Sequence, residues 1–194
     1  YHYANEVDSV EDGWIITENP DGTGTLLMFR DSFANTLIPF FSAEFETAYY
    51  AKGEPNAMER YVESYDPDCV VIQKVERNIT NYLENPPILT PPEGELPLYI
   101  TIAETETTVQ IEECMNDPSF YKLSGTLDPE RMETDSETLV CVNGKYYRAY
   151  QTDDQAYMLY LKKDSFAESF ADVQLYIVNG ATCVQALSET VNLS

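Results

Sequence analysis

At 194 residues and 43% hydrophobic side chains, the chain can bury a real core as one large domain or two small ones, and wholesale disorder is excluded. Thirty-four acidic against eleven basic residues give a net charge of −23. The excess is even, with 17 acids and 5 bases in residues 1–94 and 17 and 6 in residues 95–194, so no basic arm exists and no nucleic acid partner is expected.

No apolar run reaches the roughly eighteen residues of a membrane span, so no membrane insertion is expected. The chain opens at Tyr1-His2-Tyr3 without an initiator Met, which reads as the interior of a longer protein or as a trimmed chain. Asp21-Gly22-Thr23-Gly24 is a turn, and the short apolar run Leu26–Phe29 after it reads as a buried strand. The run stops at Asp31-Ser32. Phe33, Leu37, Phe40, Phe41 and Phe45 then recur at helical spacing over 33–45, with Pro39 a disturbance unless it lies in the first turn. Thr47–Tyr50 is a short strand candidate, 55–64 a second helix, and Cys69–Val75 a second buried strand after the turn Tyr65-Asp66-Pro67-Asp68. A short helix is expected over 78–84. Alternating strand and helix predicts a parallel, three-layer α/β unit over residues 1–85.

Pro86-Pro87-Ile88-Leu89-Thr90-Pro91-Pro92 interrupts that pattern, so residues 86–95 read as a stiff linker. Strand texture follows at 98–102, 108–111, 121–127 and 139–142, then at 145–150 directly after Asn143-Gly144, a strong hairpin signal. Residues 157–161, 173–178 and 182–186 continue it, with Asn179-Gly180 as a further turn. The expected fold class is therefore α/β plus all-β, with an antiparallel β-sandwich over 96–194.

Cys69, Cys114, Cys141 and Cys183 form no Cys-x-x-Cys pair and His2 is the sole histidine, so no metal site is expected; one disulfide in the C-terminal half is open. Asp153 with Asp154 and Asp128 with Glu130 lack calcium-loop spacing and read as solvated turns.

Two groups of residues carry chemistry. A serine delivered at a strand-to-helix turn suits a nucleophile, whereas Asp31-Ser32 is equally a helix cap. Tyr146, Tyr147 and Tyr150 crowd adjacent strands and suit stacking on sugar rings, or else pair across strands as core.

The run Phe29-Arg30-Asp31-Ser32-Phe33-Ala34-Asn35-Thr36-Leu37-Ile38-Pro39-Phe40 resembles the serine-bearing segment of the SGNH/GDSL-type hydrolases. The resemblance is to the branch holding the alginate O-acetyltransferase-like proteins and the DHHW proteins of Gram-positive bacteria. Tyr65–Asn78 is similar to that family's later strand and polar exit, and the likeness covers residues 14–84. It implies an SGNH/flavodoxin-like parallel sheet with no cofactor, Ser32 as nucleophile, Asp31 beside it, and Arg77 or Asn78 as oxyanion donor. Asn78 also reads as the cap of the next helix. The substrate implied is an acylated polysaccharide at the cell surface or outside the cell. The family's activating Asp-x-His segment precedes the serine, and Tyr1-His2-Tyr3-Ala4-Asn5 does not reproduce it. An esterase or O-acetyltransferase relative that is inactive as this isolated chain is therefore expected. The alternative is a non-catalytic carbohydrate-binding or structural surface protein.

Overall fold

The computed structural model describes residues 1–153, 155–166 and 169–193, with backbone only at 83 and 84. The protein is mostly β, in mixed and antiparallel sheets, and divides into two units, Tyr1–Ile88 and Leu89–Ser194.

The first unit is built on a five-stranded sheet of β1 (His2–Tyr3), β2 (Trp14–Glu18), β3 (Thr25–Arg30), β4 (Thr47–Lys52) and β5 (Cys69–Ile72), in the order β1-β2-β4-β3-β5. The trio β4-β3-β5 is parallel, while β1 and β2 add antiparallel strands at one side. Residues 14–18 carry no strand expectation. Their alternation Ile15/Thr17 against Trp14/Ile16 makes a strand only because β4 offers a free edge. Helix α1 (Ile38–Glu44) joins β3 to β4 and covers the face bearing Leu26, Met28, Ala48 and Tyr50. Helix α2 (Met58–Tyr65) joins β4 to β5 on the other face, where Tyr61 meets Phe29 edge-on at 5.7 Å and stacks with Trp14 at 5.4 Å. The 33–45 helix is split. Ser32–Leu37 is a 3-10 turn, and Pro39 falls in the first turn of α1, where its missing N–H has no helical partner to lose. Asp66 ends α2 at φ 42° and starts the descent to β5. The expected helix over 78–84 shortens to a 3-10 turn, Glu76–Asn78, and α3 (Asn81–Glu84).

The second unit has two sheets, one of β6 (Tyr99–Ile102), β9 (Glu137–Val142), β10 (Lys145–Arg148), β13 (Phe170–Asn179) and β14 (Thr182–Asn192), ordered β10-β9-β13-β14-β6. The other, ordered β11-β12-β8-β7, holds β7 (Gln110–Glu113), β8 (Phe120–Thr126), β11 (Tyr150–Asp153) and β12 (Ala156–Lys162). Their inner faces share one core that includes Leu123, Leu159 and Leu161 from one sheet and Val140, Val173 and Leu175 from the other. All pairings are antiparallel except β6 on β14, which is parallel. Asn143 and Gly144, at φ 50° and 86°, turn the β9–β10 hairpin. Part of the expected linker pairs with β10 in an isolated antiparallel bridge, Glu93 with Tyr147: Gly94 N–H donates to Tyr146 O and Arg148 N–H donates to Pro92 O, while Ile88 is buried in the first unit. A proline lacks only the donor, and here its carbonyl alone is used. Gly125 lies so close to Thr108 that a Cβ would stand 2.0 Å from the Thr108 carbonyl oxygen. The four cysteines are free thiols, and Cys114, Cys141 and Cys183 are buried, so the open disulfide is not formed.

Candidate functional site

β3 is the centre of the parallel trio. The chain leaves it through α1 to β4 on one side and returns over the other face through α2 to β5 on the other. The C-terminal end of β3 is thus the switch point where connections diverge, the place where α/β sheets hold ligands.

Asp31 sits at this end in extended conformation. Its carboxylate accepts the amide of Phe33 at 2.9 Å and, from the exit of β5, the amide of Val75 at 2.8 Å. Its own amide donates to Gln73 Oε1 at 3.2 Å, and the Gln73 amide donates to Phe29 O at 2.8 Å. Desolvation alone would raise this carboxyl; the Val75 and Phe33 amides, Gln73 and the charge of Lys74 outweigh it and hold the pKa below the usual carboxylate value. A carboxylate with both oxygens engaged and its affinity for protons reduced is a poor general base. Asp31 is a cap and a stitch between strand ends.

Ser32 follows as the first residue of the 3-10 turn and is exposed, its hydroxyl without a hydrogen bond among the described residues. The Phe33 amide is taken by the Asp31 side chain and the Ala34 amide by Asp31 O at 3.3 Å, so these first turn amides do not face a substrate oxygen. Arg77 is brought to this turn: its guanidinium lies 5.7 Å from the Phe33 ring centre. Asn78 closes the 3-10 turn that begins after Val75, donating its amide to Val75 O at 2.9 Å, and is half-buried. It is the last residue of that turn, not the cap of a following helix.

His2 is elsewhere. It pairs with Glu18, Glu18 with Thr47 and Thr47 with Thr25, which places it at the N-terminal edge of the parallel strands, while Arg30 pairs with Lys52 at the other. Five strand steps, roughly 17 Å along β3, separate those edges. His2 Nε2 lies 3.4 Å from Glu18 on the surface, so no imidazole of this chain serves Ser32.

Sequence reading missed two clusters at the same edge. Arg30 is fully buried, with Nη1 donating to Asn35 Oδ1 at 2.5 Å and Nη2 to Asp12 O at 2.8 Å. Asn35 Nδ2 donates to Glu11 Oε1 at 2.6 Å, and Lys52 Nζ donates to Glu11 O at 3.0 Å, so the turn carrying Ser32 is lashed to the 8–13 loop. Burial lowers the Arg30 pKa, against the charges of Glu11 and Asp12. The second cluster is Lys74, ion-paired to Glu54, with its ammonium 5.7 Å from the Tyr82 ring centre. The Tyr82 phenol is pushed up to about 12 by burial and then by Glu54. Arg30 closes β3 and Lys74 follows β5, and that position at strand ends is the signal that would have found them.

The three tyrosines are not brought together. Tyr147 is in the inter-sheet core, and Tyr146, its neighbour on β10, faces the opposite way against Tyr176, with ring centres 5.9 Å apart. Tyr150 is on β11 of the other sheet, and Tyr147 therefore cannot stack on a ligand. Asp128 caps the 3-10 turn Pro129–Arg131 through the Glu130 amide at 3.0 Å, and Asp153 accepts the Gln155 amide at 2.7 Å; Asp154 lies outside the described residues. Among the described residues no group of three His, Cys, Asp or Glu side chains is placed to hold a metal, and no helix is long and apolar enough to cross a membrane.

Comparison with family models, with curated proteins and with solved structures returns no match to this chain.

Proposed function

We propose that the protein is a relative of the SGNH-type esterases and O-acetyltransferases that act on acylated extracellular or cell-surface polysaccharides, with Ser32 at the nucleophile position of an SGNH/flavodoxin-like sheet. The carrying observation is the exposed Ser32 hydroxyl, free of hydrogen bonds among the described residues, at the switch point of the parallel strands, with Arg77 at the same turn. In this reading Ser32 Oγ attacks the ester carbonyl carbon, the alcohol leaves, and the acyl group rests on Ser32 until water or a sugar hydroxyl takes it. Arg77, with Asn78 beside it, faces the developing oxyanion in place of the engaged turn amides. The proton of Ser32 needs an imidazole from outside residues 1–194, because His2 lies at the far edge of the sheet. The isolated chain is accordingly expected to be inactive.

The position of His2 also favours a second reading, a non-catalytic glycan-binding or structural surface protein on the same scaffold. Exogenous imidazole separates the two. With an aryl acetate and imidazole, the chain should acquire an acetyl group on Ser32, located by peptide mass mapping, while Ser32→Ala acquires none there. Without imidazole both should turn over at background rate. Failure to acetylate Ser32 with imidazole present leaves the scaffold reading.

A further inference from the structure

The second unit ends its five-stranded sheet on β6, an edge strand whose outer side no other described strand pairs with. Among the described residues β6 pairs only with β14, through Tyr99↔Thr182, Ile100↔Cys183, Thr101↔Val184 and Ile102↔Gln185. The Ala103 amide donates to Gln185 O, so with the two-residue period of a strand the N–H and C=O groups of Ile100 and Ile102 point to the open side. Ile100 and Ile102 share one face and both are exposed, Ile102 at 83%; Leu98, in the bend before the strand, is 95% exposed, and Tyr99, on the other face, 76%. Exposed edges are ordinarily blunted by a charge, a bulge or a proline within the strand. Residues 98–102 contain none of these, and Pro97 stands just before them.

What surrounds the strand says what fits it. Glu93 and Glu95 precede it, Glu104 and Glu106 follow it, and none of the four forms an ion pair among the described residues. No Lys or Arg occurs between Arg77 and Lys122. A second copy is a poor occupant. Two-fold antiparallel pairing about Ile100 would set Glu104 of each copy against Leu96 and beside Glu95 of the other, joining two chains of charge −23 through acidic ends. Where β6 stops and β14 runs on, a groove of about 450 Å³ lined by Ile102, Glu104, Thr105 and Leu187 continues the edge.

We propose that β6 is a strand-addition site for an extended polypeptide segment whose apolar residues alternate and whose ends are basic. Main-chain bonds to Ile100 and Ile102 supply the pairing, the apolar side chains cover Ile100 and Ile102, and the basic ends meet the two glutamate pairs. The test is fluorescence anisotropy with a labelled peptide of alternating Val and Thr between paired lysines. Binding should saturate, fall with salt, and weaken roughly ten-fold or more in Ile100→Pro, which removes an outward N–H without touching a bond to β14. Ile102→Lys, which keeps the backbone intact, should weaken it likewise, and circular dichroism checks that both variants fold. A peptide with glutamates in place of the lysines should not bind. No binding by the native chain, equal binding by the folded variants, or equal binding of the acidic peptide overturns the proposal. So does a native dimer in sedimentation that Ile100→Pro dissolves, since the occupant is then a second copy.

Discussion

Asp31 Oδ2 accepts the amide of Val75 at 2.8 Å, a bond that spans 44 positions of sequence and ties the exit of β3 to the exit of β5. The other carboxylate oxygen holds the Phe33 amide. One side chain therefore sets the relative position of the turn that presents Ser32 and the turn that presents Arg77 and Asn78, without touching either functional group.

Removing that carboxylate should loosen the first unit. Asp31→Ala is expected to cost about 0.5–2 kcal/mol, the range for losing a side-chain cap, read as a lower urea midpoint. The pH dependence has a definite sign. Because the folded pKa of Asp31 is depressed, its contribution is fully present above the unfolded value near ~3.9 and is lost as pH falls through the folded pKa. The stability gap between the native chain and Asp31→Asn should hold from neutrality to about pH 5 and close in stronger acid. A gap that widens on acidification would contradict this assignment.

Arg30 presents a different balance. It is 1% exposed, its Nη atoms donate to Asn35 and the Asp12 carbonyl, and its Nε has no partner among the described residues. Arg30→Ala leaves Asn35 and the Asp12 carbonyl without their donor and opens a hole, and about 3–5 kcal/mol should be lost. Arg30→Met fills the space and removes the unsatisfied Nε, so its loss should be clearly smaller. Equal melting temperatures for the two variants would mean that volume, not polar pairing, is irrelevant at this position.

Tyr147 and Tyr146 are adjacent in sequence and opposite in role. Tyr147→Ala should cost about 3–5 kcal/mol because it empties the inter-sheet core, whereas Tyr146→Ala, on the half-covered outer face, should cost about 1–2 kcal/mol. Chemical denaturation of the two variants checks the order. Loss of glycan binding in Tyr147→Ala would report unfolding and not a lost stacking ring.

Local pattern carried much of the architecture. The apolar run at 26–29 and the Asn143-Gly144 hairpin express short-range preferences that the chain keeps when folded, whereas the expected phenylalanine stripe does not become a single buried helix face: Phe33, Leu37 and Phe40 are exposed, and Ala34, Ile38 and Ser42 turn inward. The position of Ser32 at a strand-to-turn junction was legible for the same reason. β2 and the pairing of residues 92–94 were not, because an edge strand forms only when a neighbour supplies the bonds.

By itself the sequence determined most of the elements, the acidic charge and the poverty in histidine, since these depend on composition and on contacts a few residues apart. Tertiary structure alone decided that His2 lies at the wrong edge of the sheet for Ser32, that Asp31 is engaged by amides, that Arg30 is buried, that Tyr146 and Tyr147 face apart, and that β6 is left open. Those facts depend on sheet order and register, which bring together residues tens of positions apart and which no local pattern records.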